Sequence, residues 1–237
     1  MIIAYVYDFP HFKSAQGLFA LKRAGFDRVL AIAAPWKNLD IAESHFQFKT
    51  ADMPDAHHPR EVCKALGYQY DVLEHDSPQA VEALKACDAG LILGARVLGP
   101  DVTSCGVPVI NLHPGVMPAN RGLDTLKWAV HDMLPQAITA HVIDHRIDRG
   151  ALISERIVPV HMKDSYADIY NRMMWTQIDM LPSALMMAHL PSDAIGKGTY
   201  RKPMNLPEDV ATKERFAEYK FKYADICDAH DGVYAVA

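Results

Sequence analysis

Asn111-Leu112-His113-Pro114-Gly115 holds the residues best suited to chemistry at a carbonyl group. Asn111 and His113 stand two apart at the end of an apolar run, so on a strand both side chains leave from one face. A carboxamide donor beside an imidazole can polarise a carbonyl or stabilise an oxyanion. Pro114 and Gly115 stop the strand there and keep its end accessible. The plainer alternative is that Asn111 caps a turn and His113 fills a cleft. Asp144 and Asp148 bracket a later polar turn, and either carboxylate could orient His113 and raise its pKa towards neutrality. Spacing does not choose between the two. His141 with His145, and His57 with His58, are metal-capable types, but no third ligand stands at suitable spacing and no metal is expected.

Those side chains need a scaffold, and strand-like and helix-like stretches alternate along the chain. Residues 2–7 form a short buried-strand run, followed by Ser14 at a predicted N-cap and an amphipathic stretch from Ala15 to Ala24 that Gly25 closes. Arg28 to Ala33 reads as the next strand. His58-Pro59 opens a short helix that Gly67 ends, and Ser77-Pro78 starts another over Gln79 to Ala86. Leu91 to Leu93 and Val107 to Asn111 are further strands. This rhythm predicts an α/β fold with a mostly parallel twisted sheet, flanked by helices on both faces. Ligands of such sheets bind at the carboxyl ends of strands, where Asn111 and His113 would stand.

After residue 111 the texture changes. Asn111 to Gly122 reads as loop, Leu123 to Asp132 as helix, and Ile138 to Ile143 and Ala151 to Val160 as strands. Ser165 with Asp168 forms a capping-box-like start to the longest helix, whose Met-rich stretch at 173–187 is expected to pack the core. Pro191 to Pro207 is rich in breakers. Residues 1–190 are therefore read as the catalytic domain and 191–237 as a C-terminal arm or small appendage.

Composition narrows the function classes. Half of the 237 residues are hydrophobic and 22% are charged, as in ordinary globular domains. Lys and Arg total 24 against 29 Asp and Glu, a net charge of −5, without the basic excess of a nucleic-acid binder. Cysteines at 63, 87, 105 and 227 show no close pairing, which argues against a disulfide-stapled secreted domain. No apolar run approaches the roughly 18 residues of a membrane span. The start has no basic region and reaches Asp8 early, so it reads as a first strand and not a signal peptide. A soluble, cytoplasmic chain with no membrane partner is expected.

Asn111 to Pro118, followed by Asn120-Arg121-Gly122, resembles the signature loop of the folate-dependent formyltransferases. That family carries Asn-x-His-Pro, a small residue, two apolar residues, Pro, and then Arg-Gly or Pro-Gly. Its second motif, His-x-x-x-x-x-Leu/Ile-Asp-x-Gly, is matched by His141 through Ile147-Asp148-Arg149-Gly150. The resemblance implies a Rossmann-like formyltransferase fold and N10-formyltetrahydrofolate as formyl donor. It implies Asn111, His113 and Asp148 as catalytic residues, and so favours Asp148 over Asp144. Arg96-Val97-Leu98 resembles the segment that meets the pterin through main-chain groups, and the 141–147 turn, with His141, Asp144 and Ile147, is implied as its other border. In the mechanism this suggests, an unprotonated amine attacks the formyl carbon. Protonated His113, oriented by Asp148, and the Asn111 amide stabilise the oxyanion, while Asp148 or a water it holds takes the amine proton.

Three acceptor classes occur in that family. Methionyl-tRNA goes with a substantial C-terminal barrel and a basic surface, neither of which is expected here. Phosphoribosylglycinamide goes with a glycine-rich phosphate loop after the first strand. This chain has Tyr7-Asp8-Phe9-Pro10-His11-Phe12-Lys13 there, although Lys13 and the helix start at Ser14 could still hold an anion. The favoured acceptor is a small amine, a nucleotide-linked aminosugar, because Asn-Arg-Gly recurs in sugar N-formyltransferases. Phe9, Lys13 and Arg121 are the expected substrate contacts, with Arg121 either clamping a phosphate or carboxylate or pairing with Asp124. The alternatives are a phosphoribosylglycinamide formyltransferase, a formyltetrahydrofolate hydrolase, and a non-enzymatic folate-binding member. The hydrolase usually carries an N-terminal regulatory domain, whereas Met1 here begins on the first strand. A homodimer remains open.

Overall fold

The computed structural model describes residues 1–37, 46, 54–190 and 193–228. In chain order these form β1 (Ile2–Tyr7), α1 (Phe12–Arg23), β2 (Val29–Ala34), α2 (Pro59–Leu66), β3 (Gln69–Val72), α3 (Pro78–Lys85), β4 (Ala89–Ile92), α4 (Pro100–Thr103) and β5 (Val109–His113). There follow β6 (Arg121–Gly122), α5 (Thr125–Asp132), β7 (Ala137–Val142), β8 (Ala151–Ile157), α6 (Tyr166–Met187), β9 (Tyr200–Arg201) and α7 (Leu206–Asp228). Pro191 and the end of the expected appendage lie outside the described residues.

Seven strands share one sheet in the order β3-β2-β1-β4-β5-β7-β8. The first five pair in parallel, whereas β7 and β8 add antiparallel, so the sheet is mixed. Alternation along β1 explains why both faces are covered. Ile2, Ala4 and Val6 join one apolar cluster with residues of α1, α2 and α6, and Ile3 and Tyr5 join another with α3 and α4. The strand order reverses between β1 and β4, and the loops leaving these two strands open a crevice at their carboxyl ends.

Three helix starts follow the predicted chemistry. His58 and Ser77 cap α2 and α3, each with proline at the first turn, and Ser165 with Asp168 forms a complete capping box on α6. The start of α1 differs from expectation. Its N-cap is His11, whose Nδ1 accepts the Ser14 N–H at 3.3 Å, while the Ser14 hydroxyl donates to the Leu93 carbonyl, also at 3.3 Å. Ser14 therefore ties α1 to the end of β4 instead of capping it. β5 runs two residues past the predicted end at Asn111, which puts both Asn111 and His113 on a strand. The C-terminal arm is laid along the domain. Ala194 bridges Ala151, β9 pairs with β6, and α7 packs on α5 with a buried Lys127–Asp209 ion pair at 2.8 Å.

Candidate active site

β5 delivers Asn111 and His113 at its carboxyl end. His113 is 3% exposed, its Nε2 donates to the Asn120 carbonyl at 2.9 Å, and its Nδ1 lies 3.5 Å from Asp148 Oδ2. Gly115 makes this turn possible: a Cβ there would collide with the Asn120 carbonyl oxygen and reach 3.0 Å from His113 Nε2. Asp148 sits at a φ of +50°, a region that L side chains rarely occupy, and its Oδ2 also accepts the Gly122 N–H at 3.1 Å. Asp144 points elsewhere, its carboxylate taken up by the Arg146 N–H at 2.7 Å and the Arg146 guanidinium at 2.9 Å. Of the two aspartates that spacing left open, Asp148 is the one that faces His113.

Electrostatics correct one expectation. Asp148 does draw the His113 pKa upward, but burial of the ring outweighs it and the net direction is down, helped by the positive charges of Lys13 and Arg121. The imidazole is held neutral at neutral pH, not charged. His141 is fully buried, opposite Asn111 in the β5–β7 register, and burial pushes it down to about 4. Neutral His141 turns Nε2 towards the Asn111 amide at 3.5 Å, which orients the carboxamide. Its place is beside Asn111 and Asp148.

A cavity of about 400 Å³ opens in the switch-point crevice, lined by Tyr7 at the end of β1 with His11 and Lys13 beyond it, Ile92 at the end of β4 with Leu93 to Ala95 beyond it, and Asn111 on β5. Tyr166, Tyr170, Met173 and Met174 of α6 close its far side, so part of the Met-rich stretch serves the cavity wall as well as the core. Asn111 stands on the wall; His113 and Asp148 do not. Lys13 Nζ donates to the Leu112 carbonyl at 3.3 Å, and burial lowers its pKa to about 8. Burial likewise pushes His11 down to about 4. Sequence reading missed Tyr7, His11 and Tyr170 as wall residues. The spacing of Tyr166 and Tyr170 on one helical face was the available signal.

The remaining expected contacts are distributed around this core. Phe9 stacks on Tyr7 with centroids 4.8 Å apart and meets Trp36 edge-on at 4.8 Å, outside the cavity wall. Arg96 donates to the Pro35 carbonyl at 3.3 Å and lies 3.8 Å from Glu74; Val97 is exposed, and Leu98 is buried in one apolar cluster with Ile92, Ala95 and Ile143. Arg121 departs from both of its expected roles. It is buried, and its guanidinium donates to the carbonyls of Ile147, at 2.7 Å, and Lys197. It braces the Asp148 turn and the C-terminal arm against the loop between β5 and β6. Asp124 pairs instead with Lys127 at 3.5 Å and with the Met204 N–H at 3.0 Å.

Comparison with known proteins bears on this arrangement. A profile of the Formyl transferase family matches residues 44–185, more than half of the chain. A dTDP-4-amino-4,6-dideoxyglucose formyltransferase of Mycobacterium tuberculosis is 33% identical over 122 residues, 52% of this chain and 49% of that protein. A methionyl-tRNA formyltransferase of Azobacteroides pseudotrichonymphae is 24% identical over 173 residues, 70% of this chain and 50% of that protein. The chain thus spans about half the length of the curated relatives it matches. A solved sugar N-formyltransferase from Shewanella superposes with a TM-score of 0.60 at 18% identity, covering 91% of this chain and 87% of that one, which shows a shared fold. With its seven-stranded mixed sheet and more than half of its length matched by the profile, this chain belongs to the formyl transferase family.

Proposed function

We propose that the chain transfers a formyl group from N10-formyltetrahydrofolate to the primary amine of a small acceptor, a nucleotide-linked aminosugar. One observation carries the reading: Asn111, His113 and Asp148 gather at the end of β5, with Asn111 facing a cavity of about 400 Å³. That volume suits a small-molecule acceptor. The names of the Mycobacterium and Shewanella relatives support the sugar acceptor. The α1 start lacks the glycine-rich loop that goes with phosphoribosylglycinamide, and His11 takes the Ser14 N–H that such a loop would offer.

The donor fits the residues present. Leu98, Ile92, Ala95 and Ile143 share one apolar cluster beside the main-chain groups of residues 96–98, a surface suited to a flat heteroaromatic ring. Arg96 to Leu98 and the 141–147 turn would hold it. Bound there, N10-formyltetrahydrofolate supplies an activated formyl carbonyl.

The chain's own residues supply the rest. The Asn111 amide, steadied by His141, donates to the carbonyl oxygen as negative charge builds there. His113 and Asp148 form the proton acceptor. In the neutral ring Nε2–H is donated to Asn120, which leaves Nδ1 unprotonated beside Asp148. Once Nδ1 gains a proton, both nitrogens have oxygen acceptors, so the pair would store the proton that the attacking amine gives up and return it to the departing N10 nitrogen as the formyl carbon–N10 bond breaks. No covalent enzyme intermediate is needed.

The test is to mix the purified chain with N10-formyltetrahydrofolate and a panel of nucleotide aminosugars, following the absorbance of released tetrahydrofolate. Amine-dependent release is expected. Release with no amine present would favour the hydrolase, and silence across the panel with folate bound would refute the sugar acceptor.

A further inference from the structure

We infer that Lys13 is the anion-recognition group of the acceptor cavity, pairing with a phosphate or carboxylate that the acceptor carries. The inference rests on the reading that this cavity takes the acceptor. Its first support is charge. Among the described residues, the cavity walls carry two formally charged side chains, Lys13 and Asp124, besides His11, which burial keeps neutral. Asp124 is already matched by Lys127 and the Met204 N–H. Lys13 is not matched: its one hydrogen bond runs to the Leu112 carbonyl at 3.3 Å, and among the described residues no carboxylate forms an ion pair with it. A partly buried ammonium with one long contact is under-satisfied, because an ammonium has three hydrogens to donate.

The second support is geometry. The α1 N-terminus is the usual place for an anion at this point of such a sheet, and His11 already accepts one of its first-turn donors, the Ser14 N–H. The Lys13 side chain, in the same first turn, adds a charged donor there. Leu112 lies between Asn111 and His113, so Lys13 anchors an anion next to the reacting centre and helps fix the amine there. A neutral aminosugar of the same shape would lack this anchor.

The test titrates inorganic pyrophosphate and, separately, malonate into wild type, Lys13→Met and Lys13→Arg by calorimetry, with a folate analogue as a check on site integrity. We expect wild type and Lys13→Arg to bind one of the anions. Lys13→Met should bind it at least about tenfold more weakly while holding the folate analogue unchanged. The tighter anion identifies phosphate or carboxylate as the recognised group. Equal anion binding by wild type and Lys13→Met, or no anion binding by wild type, would overturn the inference. Anion binding lost in Lys13→Met, together with no formyl transfer by wild type, would overturn the proposed reaction and leave Lys13 standing.

Discussion

Of the three residues proposed to carry the transfer, Asn111 stands on the cavity wall, and its amide is held by a histidine that burial keeps uncharged. Replacing Asn111 by Ala is expected to lower kcat by a factor of about 10²–10³ with folate binding retained; an unchanged kcat would contradict the oxyanion role. The placement of Asn111 and His113 on one face was legible in the sequence, since the period of a strand is two. The choice of aspartate was not legible from spacing. It depends on the +50° φ of Asp148 and on the capture of Asp144 by Arg146, features of a folded turn and not of its composition. The charge on His113 was misjudged for a related reason: sequence reveals the neighbouring carboxylate but not the burial that outweighs it.

Among the elements, the loop between β5 and β6 is held from outside by the arm. The Arg121 N–H donates to the Thr199 carbonyl at 3.1 Å, the Leu123 N–H donates to the Arg201 carbonyl at 3.0 Å, and the Arg121 guanidinium ties both Ile147 and Lys197. Arg121→Met should destabilise the chain by about 2–4 kcal/mol, because two carbonyls would lose a charged donor inside the protein; a urea midpoint equal to wild type would count against the brace. Lys is a poor substitute, having no planar fork to span two carbonyls. Gly115→Ala is expected to cost activity by displacing the Asn120 carbonyl from His113, and wild-type turnover in that variant would show that this contact is dispensable. The helix caps at His58, Ser77 and Ser165 were readable because the capping chemistry is local. The β6–β9 pairing joins two-residue strands far apart in sequence, and no local pattern announces it.

At the scale of the molecule, the alternating apolar runs and caps were enough to read a helix-flanked sheet. The edge strand β3 escaped because it is mostly exposed, and the antiparallel addition of β7 and β8 is a matter of topology that hydrophobic pattern does not encode. Burial of polar groups also sets the pH response. His11, His75, His113 and His141 all have pKa values below the ordinary 6.5, each mainly through burial. The unfolded chain therefore binds more protons between about pH 4 and 6.5, and stability rises with pH across that window. His141 alone, at about 4, would contribute roughly 3 kcal/mol above pH 6.5 that is lost on acidification. The lowered carboxylates, Asp8, Asp144 and Asp168 among them, act below the ordinary carboxylate range and leave the sign in this window unchanged. Melting curves at pH 7 and pH 5 should show a clear drop at pH 5, and equal midpoints would contradict neutral burial of these rings. On the proposed mechanism, formyl transfer depends on the His113–Asp148 pair. The most direct test of that dependence is the rate of amine-dependent tetrahydrofolate release by wild type and Asp148→Asn at equal folate saturation. The variant is expected to bind folate as wild type does and to lose nearly all turnover; a wild-type rate would rule out a role for the pair.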